Sequence, residues 1–143
     1  MPSTSTPLEA VQLSHLLQAD LIWLATASLS AIPNVVPVRY FGFLDASRLW
    51  MTDNFFLKTR RNLVENPNGA VSIWCPDVPL CLQIKGPLRY FDTGEDYEAM
   101  KRHVHALRPE LPARGLVILT IREVFESRPG PDAGLPIWPR MAS

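Results

Sequence analysis

The chain lacks net charge, a long apolar run and all but two cysteines, and each lack removes a class of function. Fourteen Lys and Arg residues balance fourteen Asp and Glu residues, so the long-range field of a nucleic-acid binder or a polybasic membrane anchor is missing. Eleven of the basic residues are arginine, but they form no dense cluster. No apolar run reaches the ~18 residues that would span a bilayer. The opening Met1-Pro2-Ser3-Thr4-Ser5-Thr6-Pro7 has no apolar segment behind a basic end, as a secretory signal requires. The expectation is a cytoplasmic protein with no membrane or nucleic-acid partner. Cys75 and Cys81 flank a hairpin loop and could face each other across it; without a secretory signal they read as reduced core residues rather than a bridge.

Several catalytic arrangements are also missing. His103 and His105 are spaced i, i+2, so on a helix they face different sides and cannot form a metal pair. They read as solvated, His15 is isolated, and no metal site is expected. Gly130 and Gly134 lie in a proline-rich segment rather than a strand–helix turn, so no nucleophile elbow is present. Trp23 and Trp74 sit inside strand-like runs as core or interface residues, and Trp138 reads as an anchor for the C-terminal tail.

What is present is a β-rich chain. Its 143 residues suit one domain, predicted over residues 8–143 behind a disordered tail over 1–7; at this length roughly two thirds of the unfolded surface is buried. Three helices are predicted: residues 7–20 with Leu8, Val11, Leu16 and Leu17 on one stripe, a short helix from Lys58 capped near Asn54 and stopped by Asn66-Pro67, and residues 94–107 with Tyr97, Met100, Val104 and Leu107 on one stripe. Six strands are predicted over residues 21–27, 33–44, 48–52, 69–74, 80–91 and 115–125. Gly86-Pro87 inside the long fifth strand predicts the bend that a barrel corner requires. Short turns between six strands, with helices inserted, predict a six-stranded antiparallel barrel with peripheral helices rather than a doubly wound sheet. The tail over residues 128–139 holds too many prolines for a sheet, yet carries Leu135, Ile137 and Trp138, so it needs a surface to lie on, such as a second subunit.

The segment richest in function is Lys58-Thr59-Arg60-Arg61-Asn62-Leu63-Val64-Glu65-Asn66-Pro67, directly after the strand ending in Met51-Thr52-Asp53. It puts a lysine and a hydroxyl at the first turn of a helix, where unpaired N–H groups and the helix dipole favour an anion such as a phosphate.

Taken with the strand Leu24-Ala25-Thr26-Ala27, the run Pro33-Asn34-Val35-Val36-Pro37-Val38, the strand Gln83-Ile84-Lys85-Gly86 and the tail from Pro129 to Ile137, this segment resembles the FMN-binding split-barrel flavoproteins of the pyridoxamine-phosphate-oxidase-like superfamily, especially short members. The resemblance implies a split barrel that binds FMN, without a metal, at the interface of a homodimer. It implies that Val36, Pro37, Val38 and Arg39 run past the isoalloxazine, that Met51, Thr52 and Asp53 line the ring edge and ribityl chain, and that Lys58 and Thr59 hold the phosphate. Gln83 is the candidate polar group approaching the flavin, although the oxidases carry glutamine at the position of Cys81. Lys85 and Arg39 are the charges that would stabilise a reduced flavin. Asn34 stands where the oxidases place a phosphate-binding arginine, so the clamp is weaker or is completed by Arg60 or Arg61. The implied function is an oxidoreductase passing electrons between a nicotinamide or other donor and a small molecule. Alternatives are an FMN electron carrier or storage protein, or the same fold holding haem or a deazaflavin. A true pyridoxamine-phosphate oxidase is disfavoured: those enzymes are longer and bring a C-terminal arginine and histidine to the substrate, whereas the ending Ile137-Trp138-Pro139-Arg140-Met141 has only a faint similarity to that part and lacks the rest of its motif.

Overall fold

Alternation sets the first strands. A computed structural model describes residues 6–139, and in it Ile22, Leu24 and Thr26 of β1 (Ile22–Ala27) are buried while Trp23 is exposed on the other face. A tight turn closed between Ser28 and Ile32 returns the chain as β2 (Pro33–Val38), paired antiparallel with Thr26 opposite Asn34. β3 (Phe41–Asp45) and β4 (Arg48–Asp53) form the next hairpin, with Asp45 capping its turn through Ser47 and Arg48. After α2 (Lys58–Glu65), β5 (Asn68–Cys75) pairs with both β1 and the twelve-residue β6 (Leu80–Phe91). β7 (Gly115–Thr120), β8 (Glu123–Glu126) and β9 (Pro136–Trp138) complete a curled antiparallel sheet, ordered β2-β1-β5-β6-β7-β4-β3 with β8 on β6 and β9 on β8. This is the expected mainly-β split barrel with peripheral helices.

Among the described residues nine strands replace six, because two predicted strands are interrupted and the tail adds one. The run over 33–44 breaks at Arg39-Tyr40 into β2 and β3, which occupy opposite ends of the sheet order. The run over 115–125 breaks at Ile121-Arg122, whose N–H groups leave the ladder for the carbonyls of Ser47 and Lys85. The proline-rich tail forms a strand after all: β9 pairs with β8, and Ile137 and Trp138 pack on the chain's own core.

β6 joins the two halves of the sheet. Its first part pairs with β8 and its last part with β7 along the same edge, and the bend predicted at Gly86-Pro87 separates them. A Cβ on Gly86 would fall onto the carbonyl of Thr120. Inside the curl, Leu24, Met51, Val71, Ile84, Val117 and Leu119 share the main core. α3 (Glu95–Leu107) covers the outer side of β7 with Tyr97, Met100 and Val104 against Leu116 and Ile118, so β7 is apolar on both faces. Leu107, predicted on this stripe, is exposed.

α1 (Ala10–Leu16) is shorter than predicted and starts from a capping box between Glu9 and Gln12. It buries Leu16 with the preceding Leu8, and leaves Val11 and Leu17 outside. Pro7, assigned to the tail, is buried; residues 1–5 of that predicted tail lie outside the described residues. The two cysteines do not face each other: Cys75 pairs with Leu80 and Trp74 with Cys81, so the thiols point to opposite faces and both are free. Among the described residues no helix is long and apolar enough to cross a membrane.

The Gly86 contact gives a test. Gly86→Ala forces the β6 backbone off Thr120, an overpacking cost of about 2–3 kcal/mol. At roughly 2–4 °C per kcal/mol for a chain of this size, thermal unfolding should fall by about 5–10 °C; an unchanged midpoint would mean that the strand crossing is not tight.

Candidate functional site

Between the start of α2 and the end of β2 lies a cleft of about 500 Å³, within the range of small-molecule and cofactor sites. Its construction begins with four buried or half-buried polar side chains. Thr26 and Asn34 are cross-strand partners on β1 and β2. Asn34 Nδ2 donates to Thr26 Oγ1 at 3.2 Å and to Thr59 Oγ1 at 2.9 Å, and Asn62 Nδ2 donates to Thr26 Oγ1 at 3.0 Å. Thr59 and Asn62 are one helical turn apart on α2, so this network seats the helix on the hairpin, helped by buried Leu63. Asn66 adds a bond to the Ser28 carbonyl.

Seated this way, α2 presents a first turn with no side-chain cap and no acidic residue. Asn54, the expected cap, instead accepts from the Ala113 N–H at 2.8 Å. The residue in cap position is Leu57, whose side chain has no acceptor to offer. Among the described residues nothing accepts from the N–H groups of Lys58, Thr59 and Arg60. Thr59 Oγ1 already accepts from Asn34, which leaves its hydroxyl proton to donate. Lys58 and Thr59 both stand in the cleft wall, so one end of the cleft is a set of unfilled donors with a cation beside it.

A second unfilled group lies further in. Among the described residues Thr52 Oγ1 is buried without a hydrogen-bond partner, and Thr52 lines the cleft. A buried hydroxyl without a partner costs on the order of 1–3 kcal/mol, which a ligand hydroxyl or carbonyl would recover. The remaining wall is largely apolar: Val36, Pro37 and Val38 from β2, Phe55, Phe56 and Leu57 from the loop before α2, and Leu111 from the loop after α3. Arg39, Tyr40 and Arg108 also line it. The Ala113 backbone near that loop is left-handed at φ 44°, held by Asn54 and by the Tyr97 hydroxyl on its carbonyl at 3.0 Å. These features match the needs of a ligand with an anionic end, a polar chain and a flat apolar body.

The sequence-derived residues divide by placement. Val36, Pro37, Val38, Arg39, Thr52, Lys58 and Thr59 come together in the cleft wall. Met51 does not: strand alternation turns it from Thr52 into the main core, where it is fully buried. Asp53 is also fully buried, as an acceptor for the Phe56 N–H at 2.8 Å, the Tyr90 hydroxyl at 2.6 Å and Arg114 Nε at 3.3 Å. Gln83 and Lys85 lie on the outer face of β6, opposite Phe125 and Glu123 of β8, and outside the cleft wall; the Lys85 ammonium stands 5.4 Å from the Phe125 ring. Arg60 and Arg61, proposed to complete the clamp, line a separate cavity. Asn54, Phe55, Phe56 and Leu57 were readable as the link between two site segments. Arg108 and Leu111 are far along the chain and carry no local signal.

His103 stacks edge-on against Trp50 at 5.8 Å and His105 contacts the Leu111 carbonyl at 2.8 Å, so both have structural partners. Trp23 and Trp74 are 47% and 46% exposed on the outer face of the sheet.

Comparison with known proteins follows the same line. The family profile described as pyridoxamine 5'-phosphate oxidase matches residues 9–128. An uncharacterized protein of Methanocaldococcus jannaschii is 36% identical over 121 residues, which span 82% of this chain and 80% of that protein. HupZ of Group A Streptococcus superposes with a TM-score of 0.76 at 21% identity, covering 89% of this chain and 99% of that one. An FMN-binding protein of Syntrophomonas wolfei subsp. wolfei superposes with a TM-score of 0.70 at 13% identity, covering 92% of this chain and 88% of that one. Identities this low establish the shared fold alone.

The Asp53 cluster makes a pH prediction. Burial, then the hydrogen bond to Asp53, pushes the Tyr90 phenol well above its ordinary value of 10.0. A raised folded-state value means the contribution to stability is complete below about pH 10 and declines as the unfolded chain's phenol ionises above it. Urea unfolding at pH 8 and pH 11 should therefore show an alkaline loss in the wild type that is smaller in Tyr90→Phe. An equal loss in both proteins would remove Tyr90 from the account.

Proposed function

The chain belongs to the pyridoxamine 5'-phosphate oxidase family, and from that membership we propose that it is an FMN-binding oxidoreductase passing electrons between a nicotinamide or other donor and a small molecule. The observation that carries this reading is the cleft itself, with unfilled donors at the α2 end, the orphaned Thr52 hydroxyl within and apolar walls beyond. FMN has matching parts: a dianionic phosphate, a hydroxylated ribityl chain and a flat ring that supplies the redox chemistry.

In this reading Lys58, the Thr59 hydroxyl and the free N–H groups of the first turn hold the phosphate. Thr52 donates to or accepts from the ribityl chain. Val36, Pro37 and Leu111 exclude water from the ring slot, and Arg39 places positive charge on its wall, favouring an anionic reduced ring. Gln83 and Lys85 have no part within a single chain. The ionisable groups of the described wall are Arg39, Tyr40, Lys58 and Arg108, cations and a phenol. That composition supports binding and charge stabilisation more than proton transfer by carboxylate or imidazole, and so favours, as a second reading, an electron carrier with no substrate of its own. Anaerobic mixing with nicotinamide donors separates the two, since only the oxidoreductase turns over.

A homodimer is part of the proposal. Phe55 and Leu57 at the cleft rim are 74% and 75% exposed, so a flavin ring there needs a cover. Trp23, Val35 and Trp74 form an exposed apolar strip across β2, β1 and β5 that a second copy would bury. The free thiols fit a reducing cytoplasm.

Two outcomes test this. Lys58→Ala removes a charge-assisted contact contributing on the order of 1.5–3 kcal/mol, so FMN affinity should drop roughly 10- to 100-fold while riboflavin, without a phosphate, changes far less. Fluorescence titration of both flavins, with a deazaflavin and haem in parallel, reads this directly; tighter binding of either of the latter, or equal losses for the two flavins, would overturn the reading. Trp74→Glu should convert the dimer to monomer in light scattering, and a wild type that is already monomeric with flavin bound would remove the dimer.

A further inference from the structure

A second cavity, about 420 Å³, shares Phe56 and Leu57 with the flavin cleft but takes the rest of its wall from Arg60, Arg61, Val64 and Glu65 of α2 and from Arg114 just before β7. Three guanidinium-bearing residues thus converge on one hollow. Two of them are held. Arg114 Nε contacts the fully buried Asp53 carboxylate at 3.3 Å, and its terminal nitrogen donates to the Phe56 carbonyl. The Arg60 guanidinium lies over the Tyr90 ring at 4.6 Å, and the Tyr90 hydroxyl donates to the same Asp53. One buried carboxylate therefore orients both arginines, directly and through a phenol.

Asp53 offsets the charge of Arg114, but the charges of Arg60 and Arg61 are not cancelled. Glu65 is the single acidic residue of this wall, and neither Arg60 nor Arg61 forms an ion pair among the described residues. Solvated arginines on an open helix face would have neither a shared anchor nor an apolar floor. Here Leu57 and Val64, each about three-quarters exposed, provide that floor. Guanidinium forks match the paired oxygens of a phosphate or carboxylate, and pre-positioned forks lose less entropy on binding.

We propose that this cavity binds an organic oxyanion, a phosphate or carboxylate, with its charged group on Arg60, Arg61 and Arg114 and its apolar body on Leu57 and Val64. It is separate from the flavin phosphate position, which lies with Lys58 and Thr59 on the other side of the first turn. The site does not require the flavin reading to hold.

The test is a titration of the purified protein in excess FMN with phenyl phosphate, benzoate and benzyl alcohol, followed by backbone amide chemical shifts. Saturable shifts should appear at residues 60–65 and 114 with one or both anions and not with the alcohol, and the tighter anion identifies the oxyanion. Arg60→Gln/Arg61→Gln should weaken that binding at least tenfold while FMN affinity stays within twofold; Arg61→Gln alone, at an exposed position without an ion pair, serves if the double variant does not fold. No saturable shift at millimolar anion, equal binding by the variant, or a parallel loss of FMN would each overturn the proposal, the last by assigning these arginines to the flavin clamp.

Discussion

The bond from Asn34 Nδ2 to Thr59 Oγ1, 2.9 Å long, is the constraint on which the cleft depends. An eight-residue helix is not stable alone, and its direction is set by what it rests on. Leu63 gives α2 an apolar foot, but an apolar contact fixes no angle. The bonds that join Thr26, Asn34, Thr59 and Asn62 do, because each is directional and unmaking one would leave a buried polar group stranded. Their effect is to hold an uncapped helix start against β2. The same network explains how the chain manages with asparagine at position 34: the amide does not supply a cation to the cleft, but it occupies Thr59's acceptor side and leaves that hydroxyl free to donate.

Asp53 organises the next layer. It is fully buried and receives donors from three separate parts of the chain, the Phe56 backbone, Tyr90 on β6 and Arg114 before β7. A buried carboxylate is tolerated only when its oxygens are filled this way. Because its neighbour Thr52 lines the main cleft and its partners Arg114 and Tyr90 support the arginine cavity, a single strand end serves both hollows. Oxyanion binding in one cavity and flavin binding in the other would thus share a frame without sharing ligating side chains.

Much of this was legible in the sequence. The apolar runs at Leu21–Ala27 and Gly115–Ile121, the Gly86-Pro87 bend and the lysine and threonine opening a helix are local patterns, and they led to the right fold and to Lys58 and Thr59, which stand in the cleft wall. What was not legible depended on partners remote in sequence. Met51 and Thr52 look equivalent in a list, and only the direction of strand pleating sends one into the core and the other into the cleft. Asp53 reads as a ligand-facing acid until Tyr90 and Arg114 arrive from elsewhere in the chain. Gln83 and Lys85 sit on the predicted strand, but on its outer face. The proline-rich tail formed β9 because β8 offered an open edge and the core offered a seat for Trp138, neither of which composition can show.

The central claim is that the start of α2 is built to hold a phosphate dianion, and phosphorus NMR of FMN-loaded protein tests it most directly. A free phosphate monoester takes up its second proton near pH ~6, and its resonance moves accordingly. Donors from the first turn, Thr59 and Lys58 favour the dianion, so the bound resonance should stay at its dianionic position from pH 7.5 down to about pH 5. A bound phosphate that titrates near pH ~6 as it does in water would place it outside the reach of these groups and contradict the account.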